Sequence, residues 1–478
     1  MKILARNCRP IVSNNKNIFL FALFIIWGSS DAQAISRPKT SPTPQIIAQV
    51  AKQPEAEWTM LIYAQANNSL SKFAHRNFAD MATIGSNRNL NVLVQWYQPG
   101  QQGIWRYQIN KGRMDLDECI TQPTDGNKAQ DLVDSMEWAV KKYPAKKYCL
   151  ILWNHGMGIV DPLWGNSIQM IQPKMMKNNP RIQIAGLTQA APAQAKFQKI
   201  EKKTAKNHHR GILFNENSRT YMTNQVLSQA LEEIKTRVLN NRKIDLLGMD
   251  ACLMAMIEVG YQVRNYAAYM VGSQEVELAS GWAYQPLLQK LTTASLTPAQ
   301  FAQEIVTNYQ NLYKNKIQFY TQSAIDLEKI DMLKDSIDAV VHDIAVCKEL
   351  DPANFANIIK KARNSCIQFS TQSYIDLHSF FSEVLSHITT TYANRAQAKR
   401  LHPLTNAVAK LKESLALSMQ ILDSVVIANT SGRYLSNVKG LSIYYPQAGT
   451  GIDNSYSKTE FAQDSSWHIF LQKILALQ

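Results

Sequence analysis

Short apolar runs of strand length alternate with helical periodicities from residue 58 onward. Trp58-Thr-Met-Leu-Ile-Tyr-Ala64, Leu90 to Trp96, Tyr148-Cys-Leu-Ile-Leu-Trp153, Ile244 to Met249 and the apolar stretch within Ala268 to Ser273 read as strands. Trp105 to Ile109 reads as a short edge strand of a hairpin. Between them, Leu70 to Met81 and Asn224 to Leu239 read as helices. Ala129 to Lys142 carries Leu132, Met136, Val140 and Tyr143 at helical spacing, and Pro144 stops it. This alternation predicts an α/β fold with a largely parallel central sheet. The later chain is mostly helical, over about 298–314, 330–346, 352–361, 375–387 and 395–422, with a late strand at Gly440-Leu-Ser-Ile-Tyr-Tyr-Pro446. Thr321-Gln-Ser-Ala-Ile-Asp-Leu327 is echoed by Thr371-Gln-Ser-Tyr-Ile-Asp-Leu377, either by coincidence or as two similar strand-to-helix junctions.

The first 34 residues break this pattern. Lys2, Arg6, Arg9 and Lys16 precede an apolar run from Ile18 to Trp27, and Ala32-Gln33-Ala34 supplies a small-residue cleavage site. Together these read as a secretory signal peptide, with an uncleaved anchor as the alternative. The apolar run is short for a membrane span. The expectation is a secreted or periplasmic protein with no stable membrane span once the signal is removed. A leader over 35–57, rich in Pro, Ser, Thr, Gln and Ala, links the signal to the ordered chain. The formal charge of +14 is partly local: Asn166 to Arg210 holds nine basic residues and Glu201 as its one acid, which supplies +8. That stretch has few aromatics and no nucleic-acid-binding signature, so it reads as a solvated insertion and nucleic acid is not an expected partner.

Of the five cysteines left after the signal, Cys149 lies inside an apolar strand and reads as a small core residue. An odd number leaves one thiol unpaired, and Cys252 is the candidate. Cys252 follows the strand ending at Met249-Asp250-Ala251, and Leu253 to Val259 continues with helical character. The expected position is a strand-to-helix switch, where free backbone N–H groups favour the thiolate. A second strand runs into Asn154-His155-Gly156. Two parallel strands ending in His-Gly and Ala-Cys suggest a cysteine–histidine pair at one sheet edge, where open α/β sheets place their sites. His155 would be the acid/base partner. The Gly156 and Cys252 backbone N–H groups would be the oxyanion donors. A buried structural thiol and a structural loop histidine are the plainer readings of the same residues. No Cys/His cluster has zinc spacing, and no metal site is assigned.

These segments, with Trp138 to Tyr148, Ser273-Gln-Glu-Val-Glu277, Gly281-Trp282 and Ser323-Ala-Ile-Asp326, resemble the clostripain-like cysteine peptidases (family C11) in the family's order, over about 58–446. The resemblance implies a caspase-like α/β sandwich: a catalytic core at 58–290 and a mostly helical region at 291–478. It implies a secreted endopeptidase with a Cys252–His155 dyad, cutting peptides or proteins after Arg or Lys, with no required cofactor. The alternative is an exported binding or scaffold protein of the same fold. Asp250 matches the family's pocket acid two residues before the nucleophile, or else it serves a turn. Ser280 stands where a second acid is expected, and both are assigned to substrate binding. Asn67-Asn68-Ser69 replaces an acid-containing sequence, so a calcium requirement is left unassigned. Related enzymes are cut between the two halves, so the 166–210 insertion is a candidate processing loop, with sites between Lys196 and Arg210. The expected form is a monomer or a self-processed two-chain protein.

Overall fold

The computed structural model describes residues 2–4, 55–159, 211–393 and 402–475. The signal peptide beyond Lys2–Leu4, most of the leader, and the basic insertion with its candidate cleavage sites lie outside the described residues.

The centre is a ten-stranded sheet. In chain order its strands are β1 (Lys2–Leu4), β2 (Ala56–Gln65), β3 (Leu90–Tyr97), β4 (Ile104–Asn110), β5 (Arg113–Ile120), β6 (Ala145–Trp153), β9 (Ile244–Asp250), β10 (Ala267–Gly272), β11 (Thr321–Asp326) and β13 (Val426–Ser431). In space they run β1-β5-β4-β3-β2-β6-β9-β10-β11-β13. The five strands from β3 to β10 are mutually parallel. The flanks turn antiparallel through the β4–β5 hairpin on one side and β11–β13 on the other. Two further pairs lie outside it: β7 (Ile212–Asn215) with β8 (Thr220–Met222), and β12 (Tyr374–Asp376) with β14 (Ser442–Tyr444).

Period-two patterning explains the two layers of helices. Along β2, Trp58, Met60, Ile62 and Ala64 enter one apolar core, while Leu61 and Tyr63 enter the other. A strand buried on both faces reads as a continuous apolar run, as Trp58–Ala64 does. Helices Ser71–Ile84, Tyr284–Thr293 and Pro298–Tyr313 cover the first face, and Ala129–Lys142, Asn224–Glu233, Ile257–Val263 and Ile330–Leu350 cover the second. The result is the expected α/β sandwich with a largely parallel centre.

The echoed sequences are two strand-to-helix junctions. Each Thr-Gln-Ser-x-Ile-Asp segment carries a strand, β11 or β12, and its aspartate caps the helical turn after it. Asp326 accepts from the Glu328 N–H at 3.1 Å, and Asp376 from the Ser379 N–H at 2.8 Å. Both exploit the preference of short acidic side chains for unpaired helix-start amides.

The chain beyond residue 290 also reaches back to the parallel strand ends. Tyr374 on β12 donates its hydroxyl to Met157 O at 2.6 Å and accepts from the Ile159 N–H at 3.0 Å. Ser442 on β14 donates its backbone N–H to Ala255 O at 2.9 Å. Glu258 is buried and accepts from the Tyr444 N–H at 2.8 Å. Glu275 accepts from the Ser370 N–H at 3.0 Å. Burial pushes each of these two carboxyls up from its ordinary value of 4.5 to about 7.

Each carboxyl therefore binds its proton more tightly folded than unfolded. Its contribution to stability is complete below about pH 4.5 and is lost as pH rises through about 7. Denaturant unfolding should show stability falling between pH 5 and 8, and Glu258→Gln should make that fall shallower. An unchanged slope in the variant would contradict a buried neutral Glu258.

Candidate active site

Parallel pairing of β6 with β9 brings the candidate residues together. Trp153 is in register with Asp250, so His155 and Cys252 each lie two residues past the same rung. Neighbouring strands are about 4.8 Å apart, so the two loops leave the sheet side by side. The Asn154 N–H donates to Asp250 O at 3.3 Å and carries the pairing one step further.

Gly156 closes the space between the loops. A Cβ built there would lie 2.5 Å from Cys252 O and 3.0 Å from Ala251 Cβ, so only glycine fits without backbone movement. The antiparallel bridge between Gly156 and Ile212 is made by Met157 N–H to Gly211 O and Leu213 N–H to His155 O, both 3.2–3.3 Å. That pattern leaves the Gly156 N–H outside the bridge.

The environment of Cys252 differs from the sequence expectation. No helix starts at Leu253: residues 251–253 form a bend and turn, and the helix begins at Ile257. Leu253 takes a left-handed φ of +62°, a conformation that costs a non-glycine residue about 1–2 kcal/mol. The turn lies against Ser273–Glu277, with Leu253 N–H to Glu275 O at 3.2 Å and Ala255 N–H to Ser273 O at 2.9 Å. The Cys252 thiol faces the Glu277 carbonyl at 3.8 Å, and the Glu277 N–H donates to Sγ at 3.3 Å. Burial, then the charges of Glu277 and Glu275, push the thiol up to about 12. With no helix N-terminus to favour the anion, the resting group is a neutral thiol.

His155 is half-buried, its pKa lowered by burial against an opposing pull from Glu216. Both candidate groups are thus neutral at rest. Its loop is fixed by two amides: Asn154 Oδ1 accepts from the His155 N–H and from Asn68 Nδ2, the latter at 2.8 Å. Both amides also donate to Phe214 O, at 2.7 and 2.9 Å. The Asn67-Asn68-Ser69 segment is therefore part of this site. Asn68 ties the loop to β7, Asn67 O accepts from the Glu216 N–H at 3.2 Å, and Ser69 Oγ lies 3.4 Å from His155 Nε2.

Asp250 is buried and accepts from Tyr284 Oη at 2.7 Å and from the Trp282 N–H at 3.3 Å. Its acidic neighbour is Glu277, from the loop that also touches the thiol. Burial raises both carboxyls, and the charge of Asp250 drives Glu277 higher, so one proton stays on Glu277. Trp282 and Gln322 act on Glu277, yet neither Glu277 oxygen, nor Trp282 Nε1, nor the Gln322 amide makes a bond of ordinary length. Unpaired buried polar atoms are rare because each costs about 1–3 kcal/mol. Ser280 is exposed; its carbonyl accepts from Asn77 Nδ2 at 2.9 Å, and the next residue, Gly281, packs against Asp250.

Glu277 and Glu216 carry no local signal of a role in the site. Glu277 stands in the Ser273–Glu277 segment, but nothing in that segment says that it turns toward Asp250. Glu216 lies at a hairpin tip whose strands are too short to show a period. Cys149 is a buried core thiol as expected, and Cys252, Cys347 and Cys366 are likewise thiols rather than disulfides. Among the described residues, no group of three or more His, Cys, Asp or Glu is arranged to hold a metal ion, and no helix is long and apolar enough to cross a membrane.

The clostripain family model matches residues 62–200 and 197–473. Clostripain from Hathewaya histolytica is 22% identical over 474 residues, which cover 87% of this chain and 80% of that protein. A secreted C11 cysteine protease from Bacteroides thetaiotaomicron, solved with an irreversible peptide inhibitor, aligns with TM-score 0.55 at 17% identity, over 86% of this chain and 99% of that one. An inactive zymogen C11 protease from Parabacteroides distasonis gives TM-score 0.51 at 18% identity, over 86% and 98%. The structural likeness shows that the fold is the caspase-like sandwich.

This geometry sets two expected outcomes. Peptide-resolved alkylation of the resting protein should show Cys252 labelling slowly at pH 7 and accelerating through pH 10, because the thiol is pushed up to about 12. A plateau already reached by pH 7 would contradict the neutral thiol. Gly156→Ala should separate the loops and lower any Cys252-dependent turnover at least ~100-fold, the scale set by misplacing a reacting group by about 1 Å. Full turnover in that variant would show that Gly156 does not set the spacing of the pair.

Proposed function

This chain belongs to the clostripain family of cysteine peptidases, and from that premise we propose an exported endopeptidase that cuts after Arg or Lys with a Cys252–His155 pair. The observation that carries the reading is the shared rung Trp153–Asp250, two residues before both reacting groups. Export is supported by the signal-like leader and by the secreted character of the Bacteroides thetaiotaomicron relative.

Because thiol and imidazole are both neutral at rest, the chemistry begins with proton transfer. Substrate displaces the Glu277 backbone from Sγ; His155 takes the thiol proton as sulfur bonds to the scissile carbonyl carbon. The oxyanion is received by the backbone N–H groups of Gly156 and Cys252, each worth about 2.7–4 kcal/mol in the transition state. The protonated His155 then donates to the leaving amine as the C–N bond breaks. Water adds to the thioester with His155 as base, the C–S bond breaks, and the proton returns to sulfur. The cycle takes only these groups and water.

Asp250 and Glu277 supply the basic preference. The buried pair holds one proton, with unsatisfied polar atoms beside it. A guanidinium or ammonium would replace that proton and let both carboxylates ionise. Ser280 sits at the exposed rim of the same loop and serves the approach of substrate rather than its charge. Self-cleavage between Lys196 and Arg210 follows from the same preference and would give a two-chain form.

Fluorogenic peptides with P1 Arg, Lys, Asp or Leu provide the test. Turnover should favour Arg and Lys and vanish in Cys252→Ala and His155→Ala. Asp250→Asn should lower kcat/KM for Arg on the order of 100-fold or more, the scale of about 3 kcal/mol for a buried charge losing its partner. Cys252-dependent cleavage at Leu or Asp alone would overturn the pocket while keeping the chemistry. No turnover, with Cys252 inert to a thiol probe at pH 10, would favour a binding protein of the same fold.

A further inference from the structure

The Nε2 atom of His155 has its own partners. His155 Nε2 lies 3.4 Å from Ser69 Oγ, and Ser69 Oγ donates to Glu216 Oε1 at 2.7 Å. A hydroxyl has one proton and two lone pairs. Since the Ser69 proton goes to Glu216, the oxygen can only accept from Nε2. The bond is long, as catalytic contacts often are before substrate tightens them.

We propose that Ser69 and Glu216 form a positioning relay that keeps the His155 proton on Nε2 and leaves Nδ1 to exchange the proton of Cys252. The inference rests on the peptidase reading and adds a third element to the cysteine–histidine pair. Ser69 comes from the turn after β2 and Glu216 from the tip of the β7–β8 hairpin, so two separate segments converge on one imidazole nitrogen. The same hairpin fixes the rest of the residue. Leu213 N–H donates to His155 O at 3.2 Å, and the Phe214 ring centroid lies 6.4 Å from the imidazole. Glu216 is itself anchored by its N–H to Asn67 O, and Asn217 Nδ2 donates to Asn67 Oδ1 at 2.6 Å. Glu216 is also the charged group acting on the ring, and it favours the imidazolium against burial. A carboxylate acting through a hydroxyl thus orients the ring and offsets part of the cost of charging it, the two tasks of a third group in nucleophilic catalysis.

The test is nitrogen-15 NMR of the histidines in Cys252→Ala protein, which cannot digest itself, with the His155 signals assigned by comparison with the Cys252→Ala, His155→Ala protein. The relay requires the neutral ring to be the Nε2–H tautomer. Ser69→Ala and Glu216→Gln should mix the tautomers, and Glu216→Gln should also lower the titration midpoint. Ser69→Thr should restore the single tautomer. On the Cys252 background, Ser69→Ala and Glu216→Gln should lower kcat on the order of 10–100-fold, as when partners orienting other functional histidines are lost, with KM changed less than about threefold. A packing role alone would move neither the tautomer nor the midpoint. An Nδ1–H tautomer in the parent, or a midpoint unmoved by Glu216→Gln, would overturn the relay. If Ser69→Ala unfolds, Glu216→Gln carries the same readouts. Absence of turnover in the protein with Cys252 intact would sink the peptidase reading, while the tautomer measurement would still decide the relay.

Discussion

Everything chemical in this molecule depends on the parallel register of β6 and β9. Because Trp153 pairs with Asp250, the two strands release His155 and Cys252 at the same height on the sheet edge. A slip of one residue would turn every side chain of a strand to the opposite face. Burial of both faces forbids that slip, since the apolar residues of these strands fill two cores at once. The packing that stabilises the sheet is therefore the same constraint that aligns the pair.

From that edge the site is assembled by parts distant in sequence. The turn after β2 supplies Asn68 and Ser69, and the β7–β8 hairpin supplies Phe214 and Glu216. The β10–β11 connection supplies Glu275 and Glu277. The later chain then fastens these loops. Tyr374 holds the histidine loop, and Ser442 pairs with Ala255 beyond the cysteine. Gln274 donates to Asp376 and accepts from the Gly440 N–H, which ties the Glu277 loop to the same two-stranded sheet. Both reacting loops thus answer to one support. The resting thiol is held by the backbone of Glu277, whose buried side chain keeps its proton beside the Asp250 carboxylate. One loop therefore contacts both the Cys252 thiol and the buried acidic pair.

Much of this fold is legible in the sequence. The apolar runs at 58–64, 90–96, 148–153 and 244–249 are strands because a doubly buried strand has no polar face to hide. The helix at Ala129–Lys142 shows itself through its spacing and its proline stop. Pattern reading fails where elements are short or irregular. β5, with its half-exposed residues, and β7 and β8, three or four residues long, have too little period to register. The cysteine segment misleads for a related reason. Its apolar residues continue without a break, but Leu253 enters the left-handed region and delays the helix to Ile257.

What the sequence determined alone is the α/β class, the order of elements, and the placing of His155 and Cys252 just beyond strand ends, because hydrophobic period and the positions of Gly156 and Cys252 after apolar runs are local properties. What only the tertiary structure decided is the state of those residues. Burial keeps the thiol protonated; Glu277 lies beside Asp250, and Ser69 with Glu216 reaches His155. Desolvation and charge pairing act through space between segments far apart in the chain, and no local pattern of residues encodes which of them will be neighbours.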